Sequence, residues 1–211
     1  MVDLHVNFIP ADEIQEKAER ILTENHYIDI PVDIDLLVED CYGINILPLP
    51  NLGWITESHG SISQDHTTIY VDENVYYDIS VRHRFTVAHE FAHSILHKEQ
   101  FESMPTYTKD SWKDTVLSLD AKAYDWMETQ ADMFANFILI PKKHLEKQFN
   151  IALEDAKALI HEATQKGLER DTYLEYVISH ISMKLAPKFE VHHLTMQTRL
   201  CHQKKLLDLI P

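Results

Sequence analysis

The chain has 211 residues, 45% hydrophobic and 25% charged, which excludes wholesale disorder and leaves room for one compact domain with or without a small second one. Only 4 glycines and 8 prolines occur, which excludes collagen-like and low-complexity material. The net charge of −15 is unevenly held: residues 139–211 carry 11 basic and 9 acidic side chains (+2), leaving 8 basic and 25 acidic in residues 1–138 (−17). An acidic front part repels nucleic acid, and a near-neutral tail has weak affinity for it, so direct nucleic-acid binding is not expected.

No apolar stretch approaches the roughly 20 residues that span a bilayer. The start, MVDLHVNFIPADE, lacks the basic opening and apolar run of a secretory signal. The expectation is a cytoplasmic protein without membrane contact. Cys41 and Cys201, far apart in sequence, read as reduced thiols packed inside the fold.

In chain order, Pro10 to Asn25 predicts a helix, with Ile14, Ala18, Ile21 and Leu22 on one face. Pro31 opens a short second helix whose apolar side is Ile34, Leu36, Leu37 and Cys41. A strand follows at Ile44–Leu47, turns at 49–65, and a β-branched strand at Thr67–Val71. Ser80 to His97 predicts a helix apolar over most of its surface, and therefore buried. Residues 98–120 predict a loop with a short helix. Ala121–Ile140 predicts a helix ending at Pro141, followed by a helical region at about 143–186 and a turn with a last helix at 187–211.

The chemistry concentrates in His89-Glu90-Phe91-Ala92-His93, an HExxH pattern inside the buried helix. Two His four residues apart share a helix face, so their imidazoles reach one Zn²⁺, and the adjacent Glu90 stands where it takes a proton from water. Catalytic zinc usually takes a third protein ligand. Position 99 is Glu rather than the His of an extended motif, so that ligand must come from another helix. Glu128 is the best candidate, with Ala131 and Ala135 nearby to permit close helix approach. Asp132, one turn on, can fix the tautomer of His89 or His93. His97 reads as a neighbour that packs or hydrogen-bonds near the site, while His83, His192 and His193 receive no role. For steadying an oxyanion, Tyr70 and His97 are the two candidates. Zinc is the default ion, although a His₂Glu set also accepts Mn²⁺ or Fe²⁺.

Three blocks carry a family resemblance: Thr68-Ile69-Tyr70-Val71-Asp72, then Arg84 to His97 (RFTVAHEFAHSILH), then Glu128 to Pro141 (ETQADMFANFILIP). On these the chain resembles the ImmA/IrrE metallopeptidases. The resemblance implies an α+β fold, with a mainly helical zincin-like metallopeptidase core and a small β-sheet over residues 1–141. A C-terminal helical, helix-turn-helix-like region follows over 142–211, in which Phe189, Val191, Met196 and Leu200 suit two packed helices. It implies a gluzincin-like site with His89, His93 and Glu128 on zinc and Glu90 as base. It further implies site-specific cleavage of a helix-turn-helix repressor in a mobile-element or stress circuit. The 35 residues from His93 to Glu128 are long for this pattern; their Tyr107, Trp112, Tyr124 and Trp126 suit either a lid or partner surface, or the core. A different reading is a metal-stabilised anti-repressor or toxin–antitoxin partner that acts by docking alone.

Overall fold

A computed structural model describes residues 6–53, 58–104 and 118–211. The chain divides into two compact units, Met1–Ile28 with Asp33–Ile138, and Asp29–Val32 with Leu139–Pro211.

In the first unit, α1 (Ala11–Glu24) buries Ile14, Ala18, Ile21 and Leu22, the face expected from their spacing. Helix α2 (Ile34–Leu36) is capped by the Asp33 carboxylate, which accepts from the Leu36 N–H, and runs into a π turn at Leu37–Cys41. That turn shifts the helical phase. Ile34, Leu37 and Val38 become core residues, while Leu36 and Cys41 face outward, contrary to the apolar side expected for them. Cys201 is exposed as well, so neither thiol packs inside.

Three strands follow: β1 (Asn45–Leu49), β2 (Gly60–Ile62) and β3 (Thr68–Asp72). Their order is β1-β3-β2, with β1 parallel and β2 antiparallel to β3. The β-branched strand expected at 67–71 is thus the central one, with Ile69 and Val71 fully buried. Pro48 is tolerated because β1 is an edge strand. The β2–β3 connection is pinned by side chains: the Ser63 hydroxyl accepts from the Thr68 N–H, and Asp65 accepts from the Thr67 N–H.

Asp72 then caps α3 (Glu73–Asp78), accepting from Asn74, and holds the Gly53 N–H with its other oxygen. Helix α4 (Ser80–Leu96) lies against the sheet and buries Val87, Ala88, Phe91 and Ala92 completely. After α5 (Lys98–Ser103) comes α6 (Ala121–Leu139), whose Ala131, Phe134 and Ala135 are fully buried. Phe91 of α4 meets Phe134 of α6 edge-on, centroids 5.9 Å apart.

The second unit is helical: α7 (Lys142–Gln165), α8 (Arg170–Phe189), α9 (His193–Cys201) and α10 (Lys204–Leu207). The single helical stretch expected at 143–186 is two helices. Gly167, at φ 69°, closes α7 with paired bonds from Leu168 N–H to Ala163 O and from Gly167 N–H to Thr164 O. Helix α8 passes through Pro187 and ends two residues later at Phe189. Phe189, Val191, Met196 and Leu200 are all buried where α8 turns into α9. The whole is a mainly helical α+β fold with one small sheet, and among the described residues no helix is long and apolar enough to cross a membrane.

Candidate metal centre

His89 and His93 stand one turn apart on α4, and Glu128 meets them from α6. The two Nε2 atoms are 3.3 Å apart. Glu128 Oε2 is 3.1 Å from His89 Nε2, and its Oε1 is 3.6 Å from His93 Nε2. Zinc bonds of roughly 2.0–2.1 Å in a tetrahedral array put neighbouring donors about 3.3–3.4 Å apart. The three donors therefore already stand near the edge lengths that one zinc-sized ion needs, and two imidazoles with a carboxylate are chemically suited to it.

The far sides of both rings are engaged. Asp132 Oδ1 lies 2.9 Å from His89 Nδ1. His97 Nδ1 lies 3.0 Å from His93 Nδ1, and His97 Nε2 reaches Gln130 Oε1 at 3.1 Å. Both rings thus turn Nε2 toward the common point. The cluster is asymmetric in exposure: the His93 side chain is 4% exposed, whereas Glu128 is 34% exposed, so access is from the Glu128 side.

Glu90 sits beside this cluster, 6% exposed, and its carboxylate accepts from the backbone N–H of Ile62 in β2. Burial pushes Glu90 up to about 7, opposed by His89 and reinforced by Glu128. Burial works against charging His89, but the carboxylates of Asp132, Glu128 and Glu90 outweigh it and raise the ring to about 10. His93 is held well below its ordinary value by burial and by its His89 and His97 neighbours. Burial likewise brings His97 down to about 4.

Gly60 explains how Glu90 comes so close to the sheet. A Cβ there would stand 2.4 Å from Thr86 Cγ2 and 2.9 Å from Glu90 Cγ and Oε1. Only glycine lets β2 and the buried face of α4 approach this closely. Sequence reasoning passed over this residue as a turn former.

Tyr124 was also passed over as a site residue. Its hydroxyl bonds to the Glu128 carboxylate one turn along α6, and burial, with Glu128 and Glu90 nearby, pushes it up. The signal that could have found it is the four-residue spacing from Glu128. Tyr70, by contrast, is not brought to the cluster. It pairs with Ser61, whereas Gly60, Ile62, Ile69 and Val71 form the face that meets α4, so Tyr70 points to the other side. His97 stands behind His93 rather than at the open side, so it is misplaced for an oxyanion. His83 binds Asp35 at 2.8 Å, away from the cluster, and His192 accepts from Leu194 N–H at the start of α9. Trp126 stacks on Phe8 with centroids 5.5 Å apart, while Tyr107 and Trp112 lie outside the described residues.

No curated protein matches the chain. Among solved structures, a Mycobacterium tuberculosis transcriptional regulator is similar, with 16% identity and a TM-score of 0.47 over 87% of this chain. The chain spans just under half of that protein, 45%. The family model described as Peptidase_M78, IrrE N-terminal-like domain, matches residues 39–200, a stretch that contains every donor of the cluster. The chain belongs to this IrrE N-terminal-like family of M78 peptidases.

Proposed function

We propose that the chain is a zinc-dependent endopeptidase whose substrate is a helix-turn-helix transcriptional repressor. The observation that carries the reading is the convergence of His89 Nε2, His93 Nε2 and the Glu128 carboxylate on one point, with the Glu90 carboxylate alongside. When bound, the ion supplies Lewis-acid charge that polarises the scissile carbonyl and lowers the pKa of a water.

The protein does the rest. Asp132 and His97 hold the Nδ1 side of each ring and so aim the Nε2 lone pairs. Glu90 accepts the proton of the attacking water and returns it to the leaving amine, a role suited to a carboxyl raised toward neutrality. The Tyr124 hydroxyl donates to the Glu128 carboxylate and so helps hold it toward the two rings. The family supports proteolysis, and the −17 balance of residues 1–138 favours a basic protein such as a DNA-binding domain.

The test compares new protein N-termini in native-host lysate treated with zinc-loaded wild type or zinc-loaded Glu90→Gln. Termini generated only by the wild type are expected, and they identify the substrate. Identical termini from both would replace the peptidase by the docking reading, in which a metal-stabilised anti-repressor acts without turnover.

Proton linkage gives a second check. His89 free of metal holds a proton up to about 10, so an ion must displace it. Zn²⁺ binding at pH 7 is expected to release about one proton and to weaken about tenfold for each unit of pH fall. Calorimetry in buffers of different ionisation enthalpy measures this directly. Zero proton release would show that His89 is already neutral in the metal-free protein, against the upward shift described above.

A further inference from the structure

We propose that Gln130 acts through His97 as a positioning residue that fixes His93 in the tautomer with a bare Nε2, ready for the metal. This rests on the metal-centre reading above and concerns a relay on the closed side of the cluster.

The argument starts at a backbone carbonyl. Gln130 Nε2 lies 2.8 Å from the Asn7 carbonyl oxygen. A carbonyl only accepts, so the amide nitrogen must face it, and the orientation of the amide is settled. Gln130 Oε1 therefore faces His97 Nε2 at 3.1 Å and can only accept. His97 must carry its proton on Nε2, which leaves Nδ1 as a lone pair. That lone pair meets His93 Nδ1 at 3.0 Å, so His93 must carry its own proton on Nδ1. The one nitrogen left bare is His93 Nε2, the atom that faces His89 and Glu128.

Each link is directional, and the two links through His97 have no water to substitute for them: Gln130 is 0%, His97 1% and His93 3% exposed. If His97 took the opposite tautomer, two N–H groups would collide at 3.0 Å unless His93 also switched. A switched His93 would point an N–H at the metal position. His89 needs no such relay because the Asp132 carboxylate accepts directly from its Nδ1. His93 has no carboxylate behind it among the described contacts. An amide anchored on Asn7 supplies, at two removes, the direction that a charge supplies for His89.

The experiment uses the full-length protein with ¹⁵N-labelled histidine. Long-range nitrogen–proton correlations on the metal-free wild type are expected to show His97 protonated at Nε2 and His93 at Nδ1. Zn²⁺ affinity by chelator competition should then fall about 10–100-fold in Gln130→Met, the range seen when an outer partner of a metal-bound His is lost. In a His97→Asn background the amide oxygen can take the place of Nδ1 without help, so adding Gln130→Met should change affinity by no more than about twofold. His97 protonated at Nδ1 in the wild type would overturn the proposal. So would an equal Gln130→Met loss in both backgrounds, which marks a merely structural role. Absence of Zn²⁺ binding by the wild type would remove the metal centre and the relay's purpose together; tautomers read before metal is added tell that failure from a wrong relay.

Discussion

Glu90→Gln is expected to keep its metal and to cleave about 10²–10⁴-fold more slowly, the span that a positioned general base contributes. Gln has the same shape, and its amide oxygen can still accept the Ile62 N–H, so the α4–β2 contact survives. None of the three donors is touched, so zinc content measured by mass spectrometry should stay at one per chain. The same substitution has a second, opposite consequence for the metal-free protein. The folded state raises Glu90 from its ordinary 4.5 to about 7, so ionising it costs folding free energy. That cost is absent below about 4.5, grows between 4.5 and 7, and is complete above 7. Metal-free Glu90→Gln should therefore melt close to the wild type at pH 4.5 and above it at pH 8. A chain that gains stability as it loses this carboxylate shows the usual conflict between a reactive buried group and the fold around it. Cleavage retained by a fully loaded Glu90→Gln would remove Glu90 from the mechanism.

Gly60→Ala carries the second large effect. The added methyl would stand 2.4 Å from Thr86 Cγ2 and 2.9 Å from two atoms of Glu90, so the strand and the helix must part or the side chains must turn. Overpacking of this kind costs about 1–3 kcal/mol. Displacing the base by about 1 Å is enough to cost roughly 10²-fold in rate. The companion Gly60→Ala/Thr86→Ser relieves the closer contact and leaves the contact with Glu90. It should recover thermal stability while its cleavage stays low. A double variant that recovered both together would show that the methyl acts through packing alone and not through the base.

The legible and illegible parts of the site differ in a physical way. His89, Glu90 and His93 were legible because a helix converts sequence spacing directly into a shared face. Glu128 and Asp132 were legible as a pair for the same reason, once a third donor was required. The tertiary partners were not. Gly60 and Ile62 belong to a three-residue strand, too short for any period to declare itself. Tyr70 was a candidate for steadying an oxyanion, but a strand sends alternate residues to opposite faces, and the register with Ser61 sends it away. Tyr124 was grouped with other aromatic residues as lid or core, although its four-residue spacing from Glu128 on one helix puts the two side chains together. The long helices followed from periodicity, and the mainly helical α+β architecture was implied by the family resemblance. The split of α7 from α8 was signalled by Gly167, and the outward turn of Cys41 by nothing in the sequence, since it depends on a π turn.

The cluster also draws its donors from two helices, α4 and α6, whose nearest contributors are 35 positions apart in the chain. An unfolded chain cannot assemble that set, so an ion held there binds the native state alone. Its occupancy then becomes a term in the folding equilibrium: each tenfold rise in free ion above the dissociation constant adds about 1.4 kcal/mol to native stability. The docking of α4 against α6, and with it the lifetime of the native chain, would then rise and fall with the supply of that ion in its surroundings.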